Sequence, residues 1–205
     1  LFLTQAQFLE VAGLNLYPTR VLVVLTAVRV VLRSELGAIK PNSLDAMVVA
    51  LYLYATTVSL IQYREGLLEQ IAVAVDALFL YYSFRTLVSS MEDLDWLLRG
   101  LLLLLICYVP LLWYESLTFQ NPFAAIGGVE LARAGDRWVR EGRLRATGSF
   151  GHPSLLGTFG GSFLPLYVGM ALNRGRRAVG VAAAGLCVAV LLASNSGGPA
   201  LCAVA

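Results

Sequence analysis

The chain has 205 residues, of which 58% are hydrophobic and 14% are charged, and its formal net charge is +2. Its mean hydropathy is +0.73, and this composition excludes an ordinary soluble globular domain. Several apolar runs approach the roughly 20 residues that a helix needs to cross a bilayer. Because these runs are continuous rather than alternating, they predict an all-α, polytopic transmembrane helix bundle and argue against a β-barrel.

The apolar runs predict one transmembrane domain over residues 1–205, with about six spans and the start of another. The predicted spans are residues 17–33, 44–62, 67–88, 96–117, 153–172 and 178–193. Pro18 suits the first turn of the first helix, and Ser43 is expected to cap the second, with Asp45 in its first turn. The chain starts without methionine and stops inside an apolar run, so we expect it to be part of a longer protein.

Arginine supplies nearly all of the positive charge. Lys40 is the one lysine among 15 basic residues, and five arginines lie between Arg133 and Arg145. They fall in the longest polar stretch, which predicts an amphipathic outer loop over residues 118–152. The short turn at residues 173–177 holds three more arginines and is expected on the cytoplasmic side. This assignment places the arginine-rich loop outside, although its own charges oppose the positive-inside rule.

Three of these arginines have helical spacing. Arg133, Arg137 and Arg140 follow an i, i+4, i+7 pattern, so they form one stripe if the segment is a helix. Such a helix can lie on anionic lipid head groups. Alternatively, the same charges can form a funnel that attracts a phosphate-bearing lipid. The spacing alone leaves both interpretations open.

Arg145 directly precedes a glycine-punctuated return of the chain into the membrane. Gly148 and Gly151 allow tight turns and the close approach of a ligand. Pro153 suits the first turn of the following helix, whose N-terminus offers free N–H groups and partial positive charge. Arg145 beside that terminus predicts a phosphate-binding site. The alternative is an arginine that extends its side chain to the level of the lipid head groups.

His152 is the single histidine of the chain. Its unperturbed pKa near neutrality suits a general base, and the alternative is a hydrogen-bonded structural residue at the membrane boundary. Because no cluster of histidine, cysteine and carboxylate residues is present, the sequence predicts no metal site. No cofactor is expected either.

Polar and small residues inside the predicted spans indicate where helices meet. Asp76 lies deepest and is expected to pair with an arginine, because an ionised side chain is costly in hydrocarbon. Arg85 and Glu115 lie near the ends of spans and are expected to contact water. Gly157 and Gly161 are four residues apart, and this spacing predicts close contact with a neighbouring helix.

Residues 145–159, RATGSFGHPSLLGTF, are followed by an apolar helix that contains Pro165. This segment resembles the O-antigen ligase and polymerase superfamily, and most of all its exopolysaccharide-polymerase branch. Members show an arginine, a Gly-x-Phe and then His-Pro or Asn-Pro before a membrane helix. Residues 13–20 (GLNLYPTR), Asp45 and the small-residue turn at residues 194–198 (SNSGG) are also similar to that branch.

Two features depart from the family pattern or restrict it. Members often carry Ser-Arg in the small-residue turn, where this chain has Ser196 and Gly197. Because asparagine replaces histidine before the proline in some members, the resemblance argues against His152 as an essential base. The large outer loop of the family, with further arginines and a histidine, would lie beyond Ala205.

The resemblance implies a metal-independent glycosyltransferase that transfers or polymerises glycan units from a polyprenyl-diphosphate carrier. It would act at the outer, periplasmic face of a bacterial inner membrane, during surface polysaccharide assembly. Its partners would be the lipid-linked glycan, a glycan or lipid acceptor and membrane lipids, without nucleic acid. Arg145 would stabilise the departing diphosphate, and His152 is a second catalytic candidate. The substrate-binding residues would be Arg140, Arg143, Gly148 and Gly151.

Two other functions fit the same residues. A non-enzymatic transporter or flippase of an anionic lipid or solute would suit kinked helices, small-residue contacts and Asp76. Such a protein is expected to show corresponding half-repeats, and the sequence shows none. A structural membrane subunit would use its arginine cluster for lipid contact alone.

Overall fold

The computed structural model describes residues 9–11, 14–16, 18–34, 41–62, 67–127, 139–140 and 142–199, which are mostly helical. The helices are α1 (Pro18–Leu32), α2 (Ser43–Gln62), α3 (Leu67–Leu87), α4 (Met91–Thr118), α5 (Pro122–Gly127), α6 (Pro153–Leu172) and α7 (Arg177–Ser194). Two short strand pairs accompany them. The first joins β1 (Leu9–Val11) to β2 (Leu14–Leu16), and the second joins β3 (Val139–Arg140) to β4 (Arg143–Leu144).

Each of the six predicted spans coincides with a helix. Within the described ranges, four helices are long and apolar enough to cross a membrane, namely α2, α4, α6 and α7. The α1 helix has 15 residues and is therefore about 22 Å long, short of a hydrocarbon core of about 30 Å. Large apolar side chains such as Leu51 and Leu103 are 62% and 67% exposed. A mostly helical fold with four candidate membrane-spanning helices is therefore confirmed, and the presence of six spans stays a prediction.

Two helices begin with the same reciprocal hydrogen-bonded cap. Asn42 Oδ1 accepts a hydrogen bond from Asp45 N at 2.9 Å, and Asp45 Oδ2 accepts one from Asn42 N at 2.8 Å. Ser90 Oγ and Asp93 form the equivalent pair at the start of α4, at 3.1 and 2.9 Å. This arrangement satisfies donors that a helix start leaves unpaired. The cap of α2 is therefore Asn42 rather than Ser43, and the predicted acidic turn before residue 96 is the first turn of α4.

The first compact unit covers Glu10–Leu94 and contains α1, α2 and α3. Arg20 Nε lies 2.5 Å from Asp76 Oδ2, which confirms that an arginine pairs with Asp76. Arg85 pairs with Asp45, which also accepts a hydrogen bond from the Tyr81 hydroxyl at 2.7 Å. The prediction that Arg85 only contacts water is wrong, because its guanidinium joins α3 to the first turn of α2.

The other unit, the C-terminal unit, contains Leu9 and the described residues from Asp95 onward, and it is built around an antiparallel hairpin of α6 and α7. A Cβ atom at Gly157 would lie 2.8 Å from Ser194 Oγ, and one at Gly180 would overlap the backbone of Ala171. Gly160 faces α7 in the same way. Close helix contact at Gly157 is thus confirmed, and the hairpin packs nearly backbone to backbone along its length.

The α4 helix completes the core of the C-terminal unit. Leu105, Tyr108 and Leu112 of this helix are fully buried. The Tyr167 hydroxyl of α6 donates a hydrogen bond to the carbonyl oxygen of Leu98 at 2.8 Å. The last turns of α4 also contact the connection between β4 and α6, because Glu115 accepts hydrogen bonds from Thr147 N and Gly148 N.

Candidate functional site

Residues 145–152 connect β4 to α6 and form a tight bend. Gly148 has a φ of +59°, a conformation that favours glycine. A side chain there would overlap the Tyr108 hydroxyl and approach Leu112 Cδ2 to 2.7 Å. The hydrogen bond from Phe150 N to Thr147 O, at 3.0 Å, closes the turn. Both the dihedral angle and the available space therefore require glycine at position 148.

A buried carboxylate of α4 holds the first half of this bend. Glu115 is 1% exposed, and its Oε1 accepts hydrogen bonds from Thr147 N and Thr147 Oγ1, both at 3.0 Å. Its Oε2 accepts one from Gly148 N at 2.9 Å. Asn121 Nδ2 donates to Oε1 at 3.2 Å and to Gly148 O at 2.9 Å. The prediction that Glu115 contacts water is wrong, because these donors replace water around its charge.

Tyr108 holds the second half of the bend. Its hydroxyl oxygen accepts a hydrogen bond from Ser149 N at 3.1 Å and lies 3.0 Å from Ser149 Oγ. Its ring packs against Phe123, with ring centroids 4.8 Å apart. The backbone N–H groups of residues 147–149 therefore all bond to side chains of α4. Gly148 shapes the bend, and its N–H group is engaged by the protein rather than presented to a ligand.

The chain enters the bend as an extended segment with alternating burial. Leu144 and Ala146 are 1% and 0% exposed, whereas Arg143 is exposed and Arg145 is half-buried. Residues two apart in an extended chain project to the same side, so Arg143 and Arg145 share the outward side. Their Cα atoms are about 7 Å apart at the usual rise per residue. The alternation therefore places both arginine side chains on the outward side of the segment.

This extended segment is attached to helices on both sides. The Ser116 hydroxyl of α4 donates a hydrogen bond to Leu144 O at 2.9 Å. Ala146 N donates to Ala193 O of α7, also at 2.9 Å. Because hydrogen bonds precede and follow Arg145 along the chain, its backbone position is fixed by α4 and α7 together.

The Arg145 side chain lies against the C-terminus of α7. Its Nε donates a hydrogen bond to Ser194 O at 3.3 Å, at the helix end that carries partial negative charge. Within the described part of the chain, no carboxylate lies at ion-pair distance from Arg145 or Arg143. The positive charge of these two residues is thus not neutralised by any described acidic side chain.

His152 is the N-cap of α6. Its Nδ1 accepts a hydrogen bond from Ser154 N at 3.0 Å, and its carbonyl oxygen accepts one from Leu155 N at 3.1 Å. Pro153 is the first residue of α6, as predicted, and has no N–H group. The first donors of this terminus are therefore engaged, so the free N–H groups expected there are not available to an anion. A general-base role of His152 stays a prediction, and Gly151, also assigned to the site, is exposed.

The arginine-rich loop is described only in part, and Arg133 and Arg137 lie outside the described residues. Arg140 is in β3, where the antiparallel register places it opposite Arg143. The turn between the strands contains Gly142, with a φ of +74°. The predicted helical stripe therefore does not extend to Arg140, because a tight hairpin turns the chain back at Gly142.

The small-residue turn after α7 lies close to the start of α6. Asn195 ends α7 in a left-handed conformation, with a φ of 43°. The Ser196 hydroxyl oxygen lies 3.3 Å from Ser154 Oγ. Residues 145–159 and 194–198, the two segments on which the predicted resemblance rests, are thus adjacent in the structure, and Arg145 of the first bonds to Ser194 of the second.

The other end of the C-terminal unit carries a second charged cluster. Asp95 Oδ2 lies 3.0 Å from Arg99 Nη2, and Asp95 Oδ1 lies 3.0 Å from Arg176 Nη1. Arg174 and Arg177, in and after the same α6–α7 turn, are exposed. One carboxylate therefore holds two arginines and attaches the α6–α7 turn to α4.

Sequence reasoning did not assign three residues that build the bend, Tyr108, Glu115 and Asn121. One signal existed for Glu115, which is the single charged residue between Gly100 and Thr118. Such a residue in an apolar helix generally has a specific partner. Its partners in the bend are 32 and 33 positions away in the chain, so no local pattern identifies them.

The residues that the structure describes contain no group of three or more histidine, cysteine, aspartate and glutamate side chains that could hold a metal ion. No family model, curated protein or solved structure matches the chain.

Proposed function

We propose that this protein transfers or polymerises glycan units from a polyprenyl-diphosphate carrier, in the manner of O-antigen ligases and polymerases. The proposal rests chiefly on the position of Arg143 and Arg145 on one side of a fixed segment. Neither arginine has a carboxylate partner among the described residues. These cations lie beside the end of helices that are apolar enough to span a membrane. A lipid with an anionic head group suits this position, because its head group can contact the arginines while its hydrocarbon chain lies along the apolar helices.

The chemistry of diphosphate departure suits the arginine pair. When the glycosidic bond to a lipid diphosphate breaks, negative charge grows on the phosphate oxygen that leaves with the lipid. Guanidinium groups bind phosphate oxygens through two parallel hydrogen bonds and remain charged at all physiological pH values. Positioned donors stabilise such charge most when they need not reorganise. The bond from Arg145 Nε to Ser194 O provides that fixed position, and Arg140 and Arg143 act as supporting contacts.

We further propose that all six long helices span a bacterial inner membrane. These are the four candidate spans and, in addition, α1 and α3. The bend and the arginine pair then lie at the periplasmic face. The opposite end, with the exposed Arg174 and Arg177, lies at the cytoplasmic face, as the positive-inside rule favours for short turns. The acceptor is a second glycan or a lipid.

Replacement of Arg145 in the full-length protein tests the function. Arg145→Ala is expected to lower the release of polyprenyl diphosphate from a lipid-linked glycan by about 100-fold, the usual effect of removing one transition-state donor. Arg145→Lys keeps the charge without the planar guanidinium group, and its rate of polyprenyl diphosphate release is expected to lie between that of Arg145→Ala and that of the wild type. Arg174→Ala, which removes an exposed arginine at the opposite end, is the matched control and is expected to act as wild type.

Normal glycan assembly by Arg145→Ala, at a normal protein level, would remove Arg145 from the mechanism. A reporter-fusion map that places residues 139–152 in the cytoplasm would also contradict the proposal.

The ion pairs of the first unit favour a second candidate, a transporter or flippase of an anionic lipid. Arg20–Asp76 and Arg85–Asp45 join helices within predicted spans, and such pairs often mark transport pathways. A purified transporter would move a labelled lipid between vesicle leaflets and would release no polyprenyl diphosphate. An enzyme would release polyprenyl diphosphate when lipid-linked glycan and acceptor are supplied together.

A further inference from the structure

We infer that Glu115 is the positioning residue of the arginine site. It sets Arg145 through the bend at residues 147–149 and does not touch the substrate itself. The inference rests on the proposed role of Arg145 as a diphosphate contact, and it adds a residue of α4 to that site.

The hydrogen bonds around Arg145 show how Glu115 acts at a distance. Ala146 N is bonded to α7, and Thr147 N and Gly148 N are bonded to Glu115 of α4. Arg145 therefore lies on a stretch of backbone whose following residues are fixed by two helices. Loss of the carboxylate releases residues 147 and 148 from α4. The Arg145 backbone then depends on the bonds of its immediate neighbours to Ser116 and α7.

The hydrogen-bond pattern favours a carboxyl group over an amide at position 115. Four donors from three residues converge on its two oxygen atoms, and both oxygen atoms act as acceptors. A glutamine side chain has nearly the same shape, but it would place an amide N–H against a backbone N–H. Glu115→Gln is therefore a near-isosteric change that loosens the bend.

The groups that donate hydrogen bonds to Glu115 also explain why this residue does not neutralise the positive charge of the arginines. Its oxygen atoms are saturated by backbone N–H groups, a hydroxyl and an amide, all of which are neutral. An acidic side chain paired with Arg145 would instead compete with a phosphate for the guanidinium group. Glu115 thus organises the arginine site without neutralising it.

A double-mutant cycle separates positioning from general stabilisation. The full-length protein in detergent is titrated with a short-chain polyprenyl diphosphate, and the Kd is measured for the wild type, Glu115→Gln, Arg145→Ala and the double variant. We expect each single change to weaken binding by roughly tenfold, the strength of a charge-assisted contact. The double variant is expected to bind no more than twofold more weakly than Arg145→Ala.

Thr147→Val provides a second variant in case Glu115→Gln fails to fold. It removes the hydroxyl that donates to Glu115 while the backbone bond remains, and we expect about threefold weaker binding, which again disappears in the Arg145→Ala background. Thr118→Ala is the control at the same end of α4, because its hydroxyl bonds within that region, to Tyr114 O and Gln120 N. It is expected to leave the Kd unchanged.

The possible outcomes separate the two proposals. Independent, multiplicative losses for Glu115→Gln and Arg145→Ala would overturn the positioning role and leave the proposed function intact. So would unchanged binding by Glu115→Gln, or by Thr147→Val. Unchanged binding by Arg145→Ala would instead overturn the proposed function on which the inference rests.

Discussion

The two ends of the C-terminal unit handle charge in opposite ways. At the bend, Glu115 is surrounded by neutral donors, and the nearby Arg143 and Arg145 have no carboxylate partner among the described residues. At the α6–α7 turn, Asp95 is paired with two arginines, Arg99 and Arg176. The comparison shows that the number of charges does not decide whether an arginine is neutralised. The donors from which the nearby carboxylate accepts hydrogen bonds decide it.

The burial of their partners explains why the two carboxylates differ in their contribution to stability. Glu115 and Asp95 are 1% and 9% exposed, but the Arg99 and Arg176 side chains that meet Asp95 are 50% and 39% exposed. An ion pair open to water contributes little, because solvent and salt screen it. A buried acceptor that serves several buried donors is costly to remove.

Glu115→Leu is expected to give the largest loss of stability of the changes compared here. It leaves the donors of half-buried Thr147 and buried Gly148 without an acceptor, at about 1–3 kcal/mol each, so the free energy of unfolding should fall by about 3 kcal/mol or more. Reversible unfolding of the purified protein in detergent measures this. A loss no larger than that of Asp95→Leu would show that the two ends do not differ in this way.

Gly148→Ala tests the bend directly, and Gly142→Ala is its matched control. Both glycines have positive φ, but a Cβ atom meets Tyr108 and Leu112 only at Gly148, whereas it meets nothing within 4 Å at Gly142. The left-handed conformation costs a non-glycine residue about 1 kcal/mol, and overpacking adds about 1–3 kcal/mol. Gly148→Ala should therefore destabilise by about 3 kcal/mol and Gly142→Ala by about 1 kcal/mol. Equal effects in thermal unfolding would mean that the bend is not closely packed.

Asp95→Asn is expected to have the smallest effect on stability, a loss of about 0.5–1 kcal/mol, because its partners are partly solvated. Added salt should reduce the difference from the wild type. The effect of Glu115→Leu should hardly change with salt, because its partners are neutral and buried. Unfolding measured at low and high ionic strength gives both comparisons, and a salt-sensitive Glu115→Leu would contradict the assignment of neutral donors.

Helix positions followed from the sequence because continuous apolar runs have few alternatives in a chain of this composition. The α6 helix has the predicted bounds, 153–172. The start of α4 was placed five residues late because its first turn is acidic. Ser90 and Asp93 nevertheless cap it through each other's backbone N–H groups, a signal that the apolar pattern does not contain.

The candidate site was less predictable than the helices. Residues 145–153 predict the glycine bend, but the spacing of Arg133, Arg137 and Arg140 suits a helical stripe as a conditional interpretation, and the hairpin at Arg140 was not predicted. Gly142 was the local signal against a helix. The partners of the bend lie 32 or more positions away in α4, and hydrogen bonds between distant residues leave no periodic trace in a single sequence.

The contact of Gly180 with the Ala171 backbone has a mechanical consequence. The legs of the α6–α7 hairpin touch where not even a methyl group fits, so one leg cannot slip along the other by a helical turn. Any displacement of the turn at residues 173–176 is therefore carried to Ala193 and Ser194, which hold Ala146 and Arg145. A displacement at one end of the hairpin would therefore move the guanidinium group at its other end.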